Sequence, residues 1–371
     1  MHAFALLLVQ SPSAQAVDLG RLLAEKADPA CLARLAEPPY RLRGLSASRP
    51  SEENHGETAI AELEGPGALV RIETRGAAGT IRIRIDGAEE PVLARATEKG
   101  WILDLPIPFA ARCRVTADGT SPESCAIEYR AYPAGTSVVS ATRAALEGVE
   151  DAPRQAVAGT DTFTFSLSEE LPEGGLTSLD PKNSAGPRAI TRLHLRADAT
   201  DLVLALRRAT LRLVFDGETT VECPLGDFFA CPNGPEPHES QGFAVAAGID
   251  EPTGRPGTQI ELVCRLVMPY RERFDLSIDA RGAGDLHVAG IVRTMPWTWD
   301  ERSMRFHAAT RVQGAGVLVG EWLTEAPGGS VSRRSRALDG VPFESAAEIE
   351  SILGPRSMAY YYALPSPARG K

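Results

Sequence analysis

The stretch TIRIRIDG at residues 80–87 alternates apolar and polar side chains and ends on an Asp-Gly step. A period of two is typical of a strand with one buried face, and Asp-Gly is typical of a tight turn. The same order returns as TLRLVFDG at residues 210–217. A second pair, LPIPFAARCRVTA at 105–117 and LVMPYRERFDLSI at 266–278, follows each copy. We therefore predict two copies of one β-sandwich.

The spacing of the two pairs locates an insertion. The first pair lies 130 residues apart and the second 161, so the second copy holds an extra loop of 31 residues around PLGDFFACPNGPEPHESQG. Loops on rigid sandwiches often carry function. Here Glu222, Asp227 and Phe228 form a candidate sugar site, because phenyl rings stack on sugars and carboxylates accept hydroxyl protons. The alternative is a loop anchored by buried Phe rings.

Composition narrows the class of protein. Among 371 residues, Gly 34 and Pro 28 favour short strands and turns over long helices. The net charge of −10 argues against binding to nucleic acid or to an anionic membrane surface. No phosphate loop or dinucleotide fingerprint is present in the sequence, so we expect no cofactor.

The N-terminal sequence and the cysteines bear on the compartment. MHAFALLLVQSPSAQA at 1–16 is similar to a signal peptide and is too short to span a bilayer, which predicts a secreted or periplasmic protein. The usual basic residue before the apolar run is missing, so a buried strand is the alternative. The six cysteines lack CxxC pairs, so we expect no metal site. Cys113 and Cys125 flank a turn and form either a disulfide or two buried thiols.

Six segments carry a more specific signal through their length and order: GPGALVRI, IRIRIDG, LPIPFAARCRVTADG, EYRAYPAGTSV, FDGETTVECPLGDFF and PWTWDERSMRFHA. Together they resemble domain-of-unknown-function family 2961, some members of which form glycoside hydrolase family 172. The resemblance covers about residues 18–320. It implies tandem jelly-roll sandwiches, assembly as trimers or multiples of trimers, and retaining hydrolysis of furanosides by two glutamates.

The sequence patterns also give a domain layout, in which the linker is rich in Gly, Pro, Ser and acidic residues and contains one possible strand, TFTFSLS at 162–168. We predict an all-β protein of tandem jelly-roll-type β-sandwiches with a short helical N-terminal lead-in and a short C-terminal helix. In chain order, the layout comprises a signal peptide, a helical lead-in, the first sandwich, a linker, the second sandwich and a degenerate or truncated C-terminal segment, at 1–16, 17–50, 51–145, 146–186, 187–312 and 313–371.

The catalytic glutamates are the point at which this chain departs from the family. The resemblance implies an acid/base residue in a WWGEGDEK-like segment and a nucleophile in a GTGTEDYFG-like segment. Anchored on the Asp-Gly step at 339–340, the alignment puts Glu350 at the nucleophile position and Val331 at the acid/base position. Valine cannot transfer a proton, and Glu325 is the remaining acid/base candidate in that segment. Alternatively, Glu350 belongs to a short amphipathic helix that starts with a capping box.

Further candidates lie in PWTWDERSMRFHA. Trp297 and Trp299 either present their indoles to a sugar or pack in the core. Arg305 and His307 share one face of a predicted strand, where they bind an anion, pair with a carboxylate or serve a structural role. We therefore expect a carbohydrate-active protein with impaired or absent catalysis. The alternative is a non-catalytic sugar-binding or structural jelly-roll oligomer.

Overall fold

The computed structural model describes most of the chain in sixteen stretches, which are residues 16–48, 57–76, 80–88, 92–93, 95–97, 100–118, 122–147, 149, 164–170, 176–179, 185–248, 259–324, 330–335, 340–350, 353 and 357–365. Two compact units divide the chain. The first consists of Met1–Ala27 and Glu37–Pro153, and the second consists of Asp28–Ala36 and Arg154–Lys371.

The described residues of the first unit form one N-terminal helix, ten strands and one short helix near the end of the unit. In chain order they are α1 (Leu19–Ala27), β1 (Arg41–Ser48), β2 (Glu57–Glu64), β3 (Gly67–Arg75), β4 (Thr80–Ile85), β5 (Val92–Leu93), β6 (Arg95–Thr97), β7 (Gly100–Leu103), β8 (Ile107–Phe109), β9 (Arg112–Asp118), β10 (Ser124–Ala131) and α2 (Arg143–Leu146).

These strands form two antiparallel sheets. One has the order β1-β10-β3-β7-β6, with β8 also paired to β3, and the other has the order β2-β9-β4-β5. If β6, β7 and β8 count together as the sixth of eight strands, the two orders are 1-8-3-6 and 2-7-4-5, which is the double Greek key of a jelly roll. The alternation in β4 is as predicted, because Ile81, Ile83 and Ile85 are all buried in the core of this unit.

In the second unit, the part that the structure describes opens with a 3-10 turn at Pro29–Ala33 and continues with sixteen strands and three short helices. In chain order they are β11 (Thr164–Glu170), β12 (Leu176–Leu179), β13 (Arg188–Asp198), α3 (Leu202–Arg208), β14 (Thr210–Phe215), β15 (Glu218–Pro224), α4 (Leu225–Phe228), β16 (His238–Glu239), β17 (Phe243–Ala247), β18 (Gln259–Cys264), β19 (Met268–Tyr270), β20 (Phe274–Asp279), β21 (His287–Pro296), β22 (Arg305–Ala309), β23 (Gly316–Thr324), β24 (Val331–Ser335), β25 (Val341–Phe343), α5 (Ala346–Glu350) and β26 (Ser357–Ala363).

The second unit repeats the jelly roll and enlarges it. One sheet has the order β11-β21-β13-β18-β17-β16, and the other runs β12-β20-β14-β15 before continuing through β22-β26-β23-β24. With β16 to β19 counted as the sixth strand, the orders are again 1-8-3-6 and 2-7-4-5. The prediction of an all-β fold built from tandem jelly-roll-type sandwiches is thereby confirmed.

The two Asp-Gly steps form the same corner in each sandwich. Asp86 and Asp216 both adopt left-handed backbone conformations, with φ of 48° and 53°. Asp86 accepts hydrogen bonds from the backbone N–H groups of residues 110–112 at 2.7–3.0 Å. Asp216 accepts them from residues 271–273 at 2.7–3.1 Å. Each aspartate therefore ties the end of one strand to the loop before another, which is why the motif recurs at this spacing.

The layout differs from the predicted one at two places. Strand β1 lies within the predicted helical lead-in, and β12 lies within the predicted linker, while β11 overlaps the possible strand TFTFSLS of that linker. The side chains of β1 described by the structure are almost all exposed, so its sequence lacks the alternation that marks a half-buried strand. The short β12 is similarly hard to recognise from four residues.

The predicted C-terminal segment is an integral part of the second sandwich. Every residue of β26 is buried, and β26 pairs with both β22 and β23. The segment 313–371 was expected to be degenerate, yet it supplies central strands of the larger sheet. The apolar runs GVLVG and MAYYYA are typical of strands covered on both faces.

The predicted short helices and buried thiols also have clear positions. The carboxylate of Asp28 accepts a hydrogen bond from Ala30 N at the start of the 3-10 turn. The hydroxyl of Ser345 contacts Glu348 Oε1 at 3.4 Å at the start of α5. Cys113 and Cys125 are buried free thiols on different sheets, so the disulfide alternative does not describe this structure.

Candidate functional site

The second sandwich has a small surface pocket with an accessible volume of about 20 Å³. The inserted loop and the start of β17 form one wall, and the C-terminal strands β23, β24 and β26 form the other. The polar residues on these walls are His238, Ser240, Glu321, Arg333 and Tyr360. The pocket thus joins the two parts of the second unit that have no counterpart in the first.

An aromatic cluster forms the base of this pocket. The rings of Phe243 and Tyr360 both line it, and their centroids lie 4.5 Å apart. Phe228 packs edge-on against Phe243 at 5.9 Å and is fully buried. The Tyr360 hydroxyl donates to the carbonyl oxygen of Phe228 at 2.8 Å. These contacts hold the inserted loop on β26 and give the pocket a rigid apolar floor.

Arg333 on β24 fixes the rim of the pocket. Its Nε donates to the carbonyl oxygen of Ala230 at 2.7 Å, and its Nη2 lies 2.9 Å from Glu236 Oε2. Ala230 has a left-handed backbone with φ of 57°, a conformation that non-glycine residues rarely adopt. The guanidinium of Arg333 therefore stabilises a strained turn of the loop, and Arg333 also lines the pocket.

Glu321 is the acidic group on the pocket wall. It lies on β23, opposite Ala359 of β26, and is 2% exposed. A carboxylate in such a position accepts hydrogen bonds from hydroxyl groups of a bound molecule. Arg333 on the neighbouring strand supplies a positive charge to the same pocket.

His238 supplies an acceptor of a different kind. Burial lowers the pKa of His238, and the nearby Arg333 lowers it further, so the ring is neutral at physiological pH. Its Nδ1 lies 3.3 Å from the carbonyl oxygen of Glu236, which suits the tautomer in which Nδ1–H donates. The opposite nitrogen, Nε2, is buried and has no hydrogen-bond partner within the described part of the chain. A bound hydroxyl can satisfy this nitrogen.

The loop residues predicted from sequence lie around the pocket and do not line it. Glu222 is exposed on β15, with Arg212 Nε 3.9 Å from its carboxylate. Asp227 is half-buried, and this burial raises the pKa of its carboxyl to about 6 despite the opposing effect of Arg207. The full burial of Phe228 agrees with the alternative of a loop anchor.

The residues predicted in PWTWDERSMRFHA are also packed apart from the pocket. Trp297 is buried under the guanidinium of Arg34 at 4.4 Å and donates to Ser303 Oγ at 3.1 Å. Trp299 is half-buried against the same core. His307 stacks on Tyr361 with ring centroids 4.9 Å apart. Burial lowers the pKa of His307 to about 4, with Arg305 adding to the effect and Glu218 opposing it.

The residues taken from the family alignment are only partly described. Val331 begins β24 and packs against the core, so it has a structural place there. Glu350 ends α5, but its side chain lies outside the described residues, and Glu325 lies outside them entirely. Both glutamates therefore stay predictions.

The inserted loop could be predicted from the sequence, whereas the residues of other strands that complete the pocket could not. The 31-residue insertion contains His238 and Ser240, and the extra length was the available signal. Glu321 follows a glycine-rich stretch that matched no phosphate-binding motif, and Arg333 is part of SRRSR, where the family has acidic residues. Only the pairing of β23 with β24 and β26 brings these groups to the loop.

Comparisons with known proteins do not identify a family or a function for this chain. No family model and no curated protein matches the chain. Among solved structures, the major capsid protein P2 from bacteriophage PM2 is similar over 70% of this chain and 99% of that chain, with 11% identity and a TM-score of 0.19. A similarity of this size does not bear on function.

The described part of the chain contains neither a membrane-spanning helix nor a cluster of metal ligands. None of the helices there has the length and apolar character needed to cross a membrane. Within the same residues, no group of three or more His, Cys, Asp and Glu side chains is placed to hold a metal ion.

Proposed function

We propose that this chain is a carbohydrate-binding jelly-roll protein, related to retaining furanoside hydrolases, in which catalysis is impaired or absent. The observation that carries the proposal is the pocket of the second sandwich, where one buried carboxylate, one neutral histidine acceptor and one arginine surround an aromatic floor. Pockets with a few convergent polar groups on an apolar base are typical of small-molecule sites.

The number of carboxylates favours binding over hydrolysis. Retaining glycosidases use two carboxyl groups about 5 Å apart, one as the nucleophile and one as the acid/base. Among the described residues that line the pocket, Glu321 is the sole carboxylate. Arg333 stands beside it and is itself paired with Glu236. A single carboxylate with a cation can hold sugar hydroxyls without supplying a second proton-transfer group.

The polar groups suit a polyhydroxylated ligand. Glu321 and His238 Nε2 are acceptors, while Ser240 and Arg333 carry donors. A sugar hydroxyl can donate and accept at once, so it can bridge such groups. The buried rings of Phe243 and Tyr360 give the pocket an apolar base beneath these polar groups.

Two further parts of the proposal come from the sequence. The N-terminal segment supports export to the periplasm or the medium. The family resemblance supports a homo-oligomer, a trimer or a multiple of it.

Isothermal titration of the full chain with a panel of furanosides and pyranosides tests the proposal. We expect one saccharide class to bind the wild type, and Glu321→Gln and His238→Ala to weaken that binding by about tenfold each, through loss of an acceptor in a buried site. His287→Ala is the matched control, because His287 lies on β21 away from the pocket lining. Its affinity should equal that of the wild type.

The alternative function, a structural jelly-roll oligomer, predicts a different result with the same purified protein. A chain that binds no saccharide but forms one defined oligomer by light scattering would replace the binding proposal with a purely structural role. If the wild type and both pocket variants bind the saccharide with equal affinity, the saccharide does not bind in this pocket, and the proposed site is wrong.

A further inference from the structure

Three arginines stand side by side on the outer face of one sheet in the second unit. Arg192 on β13 pairs directly with Arg293 on β21. On the other side of β13, Leu193 pairs with Cys264, so the next residue, Arg265, comes opposite Arg192. Leu193 and Cys264 are buried, which places the three arginines on the opposite, outward face. We call these residues the arginine row.

The row spans three neighbouring strands. Strands in a sheet are about 4.8 Å apart, so the outer members are separated by roughly 10 Å at the backbone. Like charges directly opposite each other across strands are destabilising, and a row of three repeats that cost. In a chain with a net charge of −10, such a concentration of positive charge is not a consequence of composition.

Counter-charges for this row are few among the described residues. Arg265 Nη2 lies 3.2 Å from Glu239, whose carboxylate is mostly exposed, and Arg265 Nη1 donates to the carbonyl oxygen of Ser240 at 3.1 Å. Glu261, on the same sheet, is paired with His194. Arg192 has no ion pair in the described part of the chain, and its Nε is buried without a hydrogen-bond partner there.

The backbone at the row is irregular. The register between β13 and β21 shifts between Ile190 and Arg192, so Thr191 has no residue opposite it in the register and forms a bulge, from which its hydroxyl donates to the carbonyl oxygen of Arg293. Bulges redirect side chains and are frequent next to binding sites. Burial lowers the pKa of Arg192, with Arg293 and Arg265 adding to the effect, as expected for guanidinium groups that lie close together.

We propose that the arginine row binds a doubly charged oxyanion, a sulfate or phosphate group that is either free or carried by a ligand. Guanidinium groups form paired N–H···O bonds with such oxyanions, and neighbouring arginines present several donors to the three or four oxygens. The bound charge offsets the repulsion within the row and satisfies Arg192 Nε. Arg265 contacts the pocket residue Ser240 through its backbone carbonyl oxygen, but the proposed anion binding does not require saccharide binding in the pocket.

Titration of the full chain with sodium sulfate and sodium phosphate tests the proposal, at constant ionic strength set with chloride. We expect the wild type to bind both anions and Arg192→Gln/Arg293→Gln to bind them at least about tenfold more weakly, as expected for the loss of two charge-assisted contacts. Arg208→Gln/Arg311→Gln is the charge-matched control, since both arginines are exposed and lie outside the row. It should bind like the wild type.

Thermal unfolding gives a second readout that does not require binding to be tight. In chloride buffer, Arg192→Gln should raise Tm by about 1–3 °C, because it removes like-charge repulsion. A lower Tm for this variant would mean that the row is a packed structural feature, and the proposal would be wrong. Equal binding of sulfate by the wild type and the double variant would also overturn it.

A sulfated oligosaccharide and its unsulfated counterpart then identify the source of the anion. Tighter binding of the sulfated form than of inorganic sulfate, lost in the double variant, indicates a group carried by a saccharide. Equal affinity for the sulfated form and inorganic sulfate indicates a free ion. Either result supports the arginine row as the site, and binding of the unsulfated form by the row contradicts it.

Discussion

The Asp-Gly corners of the two sandwiches share a backbone design and differ in what surrounds it. Asp86 and Asp216 each hold three consecutive backbone N–H groups. In the first sandwich the remaining partner is the hydroxyl of Ser140. In the second it is Arg305, which lies 3.0 Å from Asp216 and 2.6 Å from Glu218.

This difference shows how the second sandwich accommodates extra strands. Arg305 belongs to β22, the strand through which the C-terminal strands continue the sheet from β15. Backbone hydrogen bonds already hold the carboxylate of Asp216 in place, so this carboxylate can form an ion pair with Arg305. The ion pair therefore secures β22 at the place where the enlarged sheet departs from the simple jelly roll.

The largest effect should come from removing the aspartates. Asp216→Ala deletes the acceptor of three N–H groups and leaves Arg305, 12% exposed, beside one carboxylate. We expect a loss of about 3–5 kcal/mol in the free energy of unfolding. Asp86→Ala deletes the same backbone acceptor without stranding a charge, and we expect about 2–3 kcal/mol. Urea unfolding followed by circular dichroism measures both, and equal losses would contradict the role given to Arg305.

An intermediate effect should come from changing the outer partner alone. Arg305→Met keeps much of the side-chain volume and removes both ion pairs, and we expect a loss of about 2 kcal/mol. Ser140→Ala removes one hydroxyl from Asp86, and we expect about 1 kcal/mol. The same urea experiment compares them. If the serine variant loses more stability than the arginine variant, the two corners do not differ in the way described.

The smallest effect should be on the pH dependence of stability, through Glu57 and the arginines of β4, the strand before the first corner. In β4, hydrogen bonds from Arg84, together with the charge of Arg82, lower the pKa of Glu57 to about 2 despite its partial burial. At the position equivalent to Arg84, the second sandwich has Val214. Because the folded pKa of Glu57 is depressed, its stabilisation is present above about pH 4.5 and is lost as the pH falls towards 2.

Glu57→Gln should therefore flatten the fall in stability between pH 5 and pH 3. With screening by solvent, the difference from the wild type at pH 6 should be about 1 kcal/mol or less. Urea midpoints at pH 6, 4 and 3 measure it. An unchanged pH dependence in the variant would show that Glu57 does not contribute.

The repeated Asp-Gly corner could be predicted from the sequence, whereas the strands added to the second sandwich could not. The Asp-Gly turn and the alternation around Ile81 and Leu211 depend on neighbours in sequence, so they could be predicted. Strand β1 could not, since an exposed strand has no period of two. Likewise, Glu321 and Arg333 meet His238 only through long-range strand pairing, which no local pattern encodes.

In the proposed function, the second sandwich binds a saccharide and leaves it intact. Proton NMR of a furanoside-containing oligosaccharide, mixed with the full chain at saturating concentration and followed over time, tests this in one sample. We expect broadened sugar resonances and no new anomeric signal. A new anomeric signal that grows with the wild type and disappears with Glu350→Gln would contradict it.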